Sequence, residues 1–341
     1  MKDIEKLVRK NIAALCPYST ARDDYQGPLG VFLDANESPY ENGWNRYPDP
    51  HQKALKARIS EIKGIAADNI FLGNGSDEAI DLVFRVFCEP GKDNVVAISP
   101  SYGMYEVAAA INDIEVRKVQ LGEDFGLDAD ALLDACDGRT KAIFLCSPNN
   151  PSGNAFSNAE VLEITRRFDG IVVLDEAYID FCSVPSLIGK AATEGNLIVL
   201  QTLSKARGMA ALRLGMAFST KRIIGLMSMV KYPYNINKAT QETVMEMLGS
   251  PVDAQVAEIK AQRALVAGKL AALPAVRKVY PSEANFLLVK VDNADAAYSR
   301  LIDGGIIVRN RSRVPGCSGC LRITIGTPEE NVKLIELMGT L

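Results

Sequence analysis

The sequence predicts an α/β protein: a large domain with a mainly parallel sheet sandwiched by helices, followed by a smaller α+β C-terminal domain. Short β-branched runs alternate with helical stretches through the middle of the chain. Four of those runs are almost continuously apolar, as expected of strands covered on both faces. The rhythm breaks around GSPVD (249 to 253), after which strands and helices follow a different order.

Taken in order, residues 1–45 hold a polar helix and then a Pro/Gly/Asn-rich stretch through ANESPYENGWNRYPDP. Too few periodic apolar residues occur there for independent folding, so an arm lying on the rest of the protein is expected. Residues 46–252 form the large domain. IFLGNGSDEAIDLVFRVF reads as a strand, a Gly-Asn-Gly turn and a helix opening at Ser76. The runs NVVAIS (94 to 99), EVRKVQL (115 to 121), KAIFLCS (141 to 147), GIVVLDEAY (170 to 178), NLIVLQTLS (196 to 204) and LGMAFST (214 to 220) read as strands, with helical stretches such as 76 to 88 and 157 to 168 between them. Residues 253–341 form the small domain: a long helix over about 253 to 273, VRKVYPSEANFLLVKV, a helix near 293 to 303, GIIVRN, CLRITIG and a terminal helix after Pro328. Ligands of open parallel sheets sit beyond the carboxyl ends of the strands, so chemistry is sought there.

Composition narrows the chemistry. The 341 residues carry 38 Lys and Arg against 42 Asp and Glu, a net charge of −4, so no global field draws nucleic acid or an anionic membrane. No apolar run reaches the ~18 to 20 residues of a membrane span, and MKDIEKLVRKN is too charged for a secretory signal, so a cytoplasmic protein is expected. Seven scattered cysteines, an odd number, read as reduced thiols. His51 is the only histidine, which removes imidazole-rich metal sites and most Ser/His or Cys/His nucleophile pairs. No metal is expected. The C-x-x-C of Cys317 and Cys320 has no second pair and no histidine near it, and reads as structural.

Lys205 follows the apolar run ending at Leu203, with Ser204 beside it and Arg213 eight residues on. Where a buried strand ends, desolvation and a neighbouring cation can lower a lysine's pKa and expose the free amine, although an isolated lysine after a strand is ordinarily just solvated. Asp175 ends its strand where an unpaired carboxylate would need a positive partner; a protonated heteroaromatic nitrogen would serve, and Tyr178 could bring a phenol to the same ligand. A strand-end acid capping a helix is the plainer alternative. The turn before Ser76 and Asp77 aims backbone N–H groups at an anion such as phosphate, and equally suits an ordinary acidic first turn. It lacks the third glycine of G-x-G-x-x-G, and no GxxxxGK[ST] occurs, which disfavours nucleotides. Asn150, in SPNNPSG, lies at the same sheet edge, and Tyr102, in SPSYGMY, could present a flat ring to a planar ligand.

GNGSDEA, SPSYGMY, SPNNPSG, VVLDEAY, LSKA and a following LR, in this order, resemble the fold-type-I pyridoxal-phosphate aminotransferases, and within them the histidinol-phosphate aminotransferase group, over essentially the whole chain. That resemblance implies an aspartate-aminotransferase-like fold and pyridoxal 5'-phosphate as cofactor. Lys205 would be the lysine joined covalently to it and later the proton shuttle, and Asp175 would keep the pyridine nitrogen protonated. Tyr178 and Asn150 would bond the ring's phenolate oxygen, and Tyr102 would stack on the ring. Ser76, Asp77, Ser204 and Arg213 would hold the phosphate. Tyr47, in RYPDP, would reach the neighbouring subunit's phosphate site, making the catalytic unit a homodimer. Arg322 would grip the anionic end of the substrate, with Arg309 and Tyr18 on its phosphate and Asn36, in ANESPY, also in the substrate site.

Departures from the family pattern are few: NESP for NENP, NPSG for NPTG, Ala211 for the usual glycine before LR, and Arg207 as an added cation near the site. The implied activity is reversible transamination between L-histidinol phosphate and 2-oxoglutarate, giving imidazole acetol phosphate and glutamate. Aromatic amino acid transamination and threonine-phosphate decarboxylation are the near rivals. A non-catalytic module holding a phosphate ligand is the rival of another class.

Overall fold

The computed structural model describes residues 3–20 and 30–341. Its larger sheet has seven strands: β1 (Ile70–Asn74), β2 (Asn94–Ser99), β3 (Glu115–Gln120), β4 (Thr140–Cys146), β5 (Ile171–Asp175), β6 (Leu197–Thr202) and β7 (Leu214–Phe218), in the spatial order β1-β7-β6-β5-β4-β2-β3. The pairs β2–β3, β2–β4, β4–β5 and β5–β6 are parallel, while β7 runs antiparallel to both β6 and β1. The predicted α/β class holds, with one reversed strand inside the sheet.

The continuous apolar runs are accounted for by the pleat. Along β5, Ile171 and Val173 enter one core cluster and Val172 and Leu174 the other; β4 repeats this with Ala142 and Phe144 against Ile143 and Leu145. The first face is covered by the helices Gly75–Phe87, Met104–Ile111 and Lys221–Val230, the second by Lys53–Lys63, Asn158–Arg167 and Lys238–Met247. Asn158–Arg167 is started by a capping box of Ser157 and Glu160. Strand β3 pairs only with β2 at the edge of the sheet, and its partly exposed residues explain why EVRKVQ is polar where the central strands are not.

A second sheet, antiparallel, orders β8 (Val276–Val279), β9 (Phe286–Val291), β10 (Arg309–Asn310) and β11 (Cys320–Thr324) as β10-β11-β9-β8. One face packs on the helices Asp253–Ala271, Ala294–Asp303 and Pro328–Met338 through Leu270, Leu287, Leu301, Leu321 and Leu334. On the other face Leu288, Cys317 and Cys320 meet Phe125 and Tyr280, and Phe286 meets Tyr178. Thus the small sheet turns its second face toward the loops of the large one.

At the N-terminus the structure departs from the expected polar helix. Only a single 3-10 turn (Ile4–Lys6) and one α-helical turn (Lys10–Ala13) form. The segment lies on the large sheet's helices nonetheless: Ile4, Val8 and Ile12 enter the first-face core and Arg222 binds Glu5 bidentately. Three small anchors on tertiary partners replace the intrahelical bonds that so short a segment cannot sustain by itself. The stretch from 30 to 52 is irregular.

Candidate active site

Parallel strands deliver their carboxyl ends to one edge, and the antiparallel β7 delivers its amino end there too. Along that edge lie Asp175 at the end of β5, Cys146 at the end of β4, Thr202 at the end of β6 and the Asn74↔Leu214 pair joining β1 to β7. A cavity of about 180 Å³ opens between them, lined by Ser76, Asp77, Tyr102, Asn150, Asp175, Tyr178, Ser204, Lys205 and Arg213. Nine residues from six separate stretches, singled out one by one in the sequence, therefore share one wall.

At one end is the turn into the Gly75–Phe87 helix. Gly75 has φ +72°, and a Cβ there would sit 2.6 Å from Arg213 Nη2, so glycine serves both the backbone conformation and the approach of the guanidinium. The Gly75 N–H donates to the Arg213 carbonyl (2.8 Å), leaving the amides of Ser76 and Asp77 among those of the first helical turn, which have no intrahelical acceptor. Glu78 accepts from the Asn74 N–H and from Asn235 Nδ2, which braces the turn. Arg213 Nη2 lies 3.5 Å from Asp77 Oδ2, and the Tyr102 hydroxyl donates to Asp77 Oδ1 (3.1 Å). The Thr202 hydroxyl donates to Ser204 Oγ (2.9 Å). Helix-start amides, a guanidinium and a hydroxyl can together grip a phosphate.

At the other end is Asp175, 2 % exposed. Its Oδ1 accepts from the Ala177 N–H (3.0 Å) and its Oδ2 from the Tyr105 hydroxyl (2.9 Å). Burial nevertheless pushes its pKa up to about 6, against the lowering by those two donors. A carboxylate in that condition fits a ligand with a cationic N–H. Lys205 lies between the two ends with its ammonium 5.6 Å from the centre of the Tyr178 ring. Its side chain reaches the open side of the cavity, yet desolvation and then the nearby Arg322 hold its pKa below the ordinary lysine value. An amine so placed is a nucleophile and a base. The donor set fits a planar, phosphorylated, cationic heteroaromatic aldehyde.

A larger cavity of about 530 Å³ shares Tyr102, Asn150, Tyr178 and Lys205 with the first and is walled on its far side by Arg309, Arg311, Arg313 and Arg322. Arg309 and Arg322 stand directly opposite each other in the antiparallel β10–β11 pair. Like charges in that register repel, and an anion between them relieves the cost. Arg322 donates to Asn150 Oδ1 (2.5 Å) and lies over the Phe286 ring (5.4 Å). Asn150 Nδ2 donates weakly to the Tyr178 hydroxyl (3.5 Å), so small and large sheets meet in one polar chain.

Three predicted residues lie elsewhere: among the described residues, neither cavity is lined by Tyr18, Asn36 or Tyr47. Tyr18 is 74 % exposed. Asn36 has φ +53° and, with Tyr47, lines a separate hollow in which the Tyr47 ring stacks on Tyr234 (4.4 Å). Arg207 points away, donating to the Ser250 carbonyl (3.2 Å). Cys317 and Cys320 are buried free thiols, their pKa values raised mainly by desolvation to about 12 and about 11. Among the described residues no group of three or more His, Cys, Asp or Glu side chains is placed to hold a metal, and no helix is long and apolar enough to cross a membrane.

Sequence reasoning missed Tyr105, Arg311 and Gly215. Tyr105 follows Tyr102 by three residues, one helical turn, and that spacing was the available signal. Arg311 follows Arg309 by two, the same-face spacing of a strand. Its Nε is buried without a hydrogen-bond partner, and desolvation, Arg322 and Arg309 all lower its pKa. Nothing local marks Gly215, whose role depends on what lies against it: a Cβ there would fall 2.1 Å from the Ser76 N and 2.2 Å from the Gly75 carbonyl carbon.

The chain matches the family model described as aminotransferase class I and II over residues 23–337. It is 56% identical to a histidinol-phosphate aminotransferase of Parabacteroides distasonis across 99% of both chains. The crystal structure of the histidinol-phosphate aminotransferase from Clostridium acetobutylicum superposes with a TM-score of 0.80 at 23% identity, covering 86% of this chain and 90% of that one. That from Sinorhizobium meliloti, in complex with pyridoxal-5'-phosphate, superposes with a TM-score of 0.78 at 23% identity, covering 86% of this chain and 82% of that one.

Gly215→Ala is expected to force the Ser76 turn off β7, lowering stability by at least ~1 to 3 kcal/mol in chemical denaturation and weakening phosphate binding in the same protein. A variant with parental stability and phosphate affinity would contradict that packing. Because the folded pKa of Asp175 (about 6) exceeds its ordinary 3.8, the cofactor-free protein loses stability as pH rises from about 4 to about 6 and keeps that loss above, on the order of 3 kcal/mol. Cofactor-free Asp175→Asn should therefore melt above the parent at pH 7 and level with it near pH 4. A parent that melts higher at pH 7 would refute the assignment of buried charge.

Proposed function

We propose that this chain, which belongs to the class I and II aminotransferase family and within it to the histidinol-phosphate aminotransferases, exchanges an amino group between L-histidinol phosphate and 2-oxoglutarate, using pyridoxal 5'-phosphate. The products would be imidazole acetol phosphate and L-glutamate. The observation that carries this reading is the convergence of a lysine of lowered pKa, a buried acid and a glycine-bounded anion cup on one cavity.

In this reading the amides of Ser76 and Asp77, the Ser204 hydroxyl and Arg213 hold the cofactor phosphate, and Asp175 faces the ring nitrogen. Tyr178 and Asn150 bond the ring oxygen, and Tyr102 lies on the ring face. When bound, the cofactor supplies an aldehyde that carries the amino group and a cationic ring that draws electrons from the substrate carbon. Lys205 Nζ, whose hold on its proton is weakened by desolvation and by Arg322, would take the proton from the carbon bearing the substrate's amino group. Arg309 and Arg322, joined by Arg311, offer a convergent set of guanidiniums suited to a phosphate dianion, and Arg322 suits a carboxylate when 2-oxoglutarate enters. Burial of Asn150 and Tyr178 limits water around the reacting carbon.

The same reading makes the working unit a homodimer with Tyr47 serving the partner's phosphate site. Its support is that Tyr47 stands outside the cavity of its own chain, as do Tyr18 and Asn36, the other two residues assigned to substrate. It divides the chain into an arm (1–45), a large cofactor-binding domain (46–252) and a small domain (253–341), and takes the protein to be cytoplasmic, with seven free thiols in its favour.

Half-reaction spectra decide the substrate. Histidinol phosphate should convert the cofactor spectrum, and a response only to phenylalanine or threonine phosphate would overturn the choice. Borohydride reduction followed by peptide mapping should place the cofactor on Lys205, and an unmodified Lys205 would favour a phosphate-binding module. The rate at which the cofactor-free protein captures pyridoxal phosphate should rise with pH through a midpoint below that of ordinary lysine. Since a neighbouring cation disfavours the ammonium, Arg322→Gln should move that midpoint upward, and an unmoved midpoint would remove Arg322 from the account.

A further inference from the structure

Asp175 has two protein donors, and only one of them is a side chain. Tyr105 sits on the Met104–Ile111 helix with 1 % exposure, and its hydroxyl donates to Asp175 Oδ2 at 2.9 Å. The ring is clamped, stacked on Phe144 at 5.1 Å and edge-on to Tyr102 at 5.7 Å. A phenylalanine would fill the same apolar space, so the hydroxyl answers to the carboxylate and not to packing. Just before the start of that helix, Tyr102 donates to Asp77 beside Arg213. The short segment from Tyr102 to Tyr105 thus touches both the acid and the anion cup.

We propose that Tyr105 is a positioning residue: its phenol keeps Asp175 an ionised, rigidly aimed acceptor, and with Tyr102 it ties the acid that meets a ligand's cationic nitrogen to the cup that meets its phosphate. The proposal rests on the cofactor reading above only for the identity of that ligand. In the dry setting of Asp175 a donated hydrogen bond favours the charged form, and Tyr105 is the largest influence opposing desolvation there. Burial first, and the Asp175 charge second, push the Tyr105 hydroxyl itself far above its ordinary pKa, so it stays a donor across the working range. The other groups facing Asp175 are Asp77 from the Gly75–Phe87 helix, Tyr102 before the Met104–Ile111 helix, Cys146 from β4, Tyr178 after β5 and Lys205 after β6. Asp77 raises its pKa and Lys205 lowers it.

The test uses the full chain in two states. In the cofactor-free protein, the downward step in thermal stability belonging to Asp175 runs from about pH 4 to about pH 6 in the parent, and Tyr105→Phe should raise its upper end by roughly one to two pH units. The step should be absent in both Asp175→Asn and the double variant. In the loaded enzyme, Tyr105→Phe should lower kcat by roughly 10- to 100-fold, the range for losing a hydrogen bond to a buried charge, while KM moves less than about threefold. Should Tyr105→Phe fold poorly, 3-fluorotyrosine at position 105 tests the same bond: its more acidic phenol donates more strongly and should lower the step. A step that stays in place in both variants, or a kcat that stays parental, would overturn the proposal. Failure of Lys205 to capture pyridoxal phosphate would instead sink the cofactor reading and leave the stability experiment on Tyr105 intact.

Discussion

A carboxylate held at the end of a strand that is apolar on both faces is the constraint around which this molecule is organised. Strand β5 sends Ile171 and Val173 into one core and Val172 and Leu174 into the other, then ends at Asp175, itself buried at the wall of the cavity. Two donors soften the desolvation and do not cancel it, since the pKa still rises to about 6. Such a group is costly in the empty site and becomes favourable when a cation is brought against it. The other residues of the cavity are placed to bring one: an anion cup at the far end would orient such a ligand, and Lys205 stands between.

Positive charge is concentrated with similar economy on the small sheet. The hairpin from β10 to β11 places Arg309 across from Arg322, and Arg311 lies close enough to depress its own pKa through both. Three guanidiniums facing a common space suit a dianion. Arg322 also reaches Asn150 on the large sheet. An anion held by these guanidiniums would be positioned by the same chain of contacts, through Asn150 and Tyr178, that borders Lys205.

Much of this was legible from local pattern. The apolar runs became the central strands, SPNNPSG became a turn at the end of β4, GNGSDEA became the junction of β1 with the Gly75–Phe87 helix, and nine of the marked residues meet in one cavity. Where pattern fell short, the cause lay in long-range partners. The N-terminal segment forms only single turns because Ile4, Val8 and Ile12 are anchored by the core and not by each other. The acceptor of Tyr105 lies on a strand seventy residues away, beyond the reach of local pattern. Gly215 lacked any sequence mark because the reason for it is the backbone of Ser76, delivered by a reversed strand.

Periodicities of two and of 3.6, turn chemistry and the order of short motifs depend on near neighbours along the chain, and so the sequence by itself determined the α/β class, the strand ends and the residue types at them. The direction of β7, the register that sets Arg309 against Arg322 and the burial that raises the pKa of Asp175 depend on which strands pair and what covers them. Only the tertiary structure decided those, because desolvation and cross-strand geometry are properties of contacts between segments far apart in the chain.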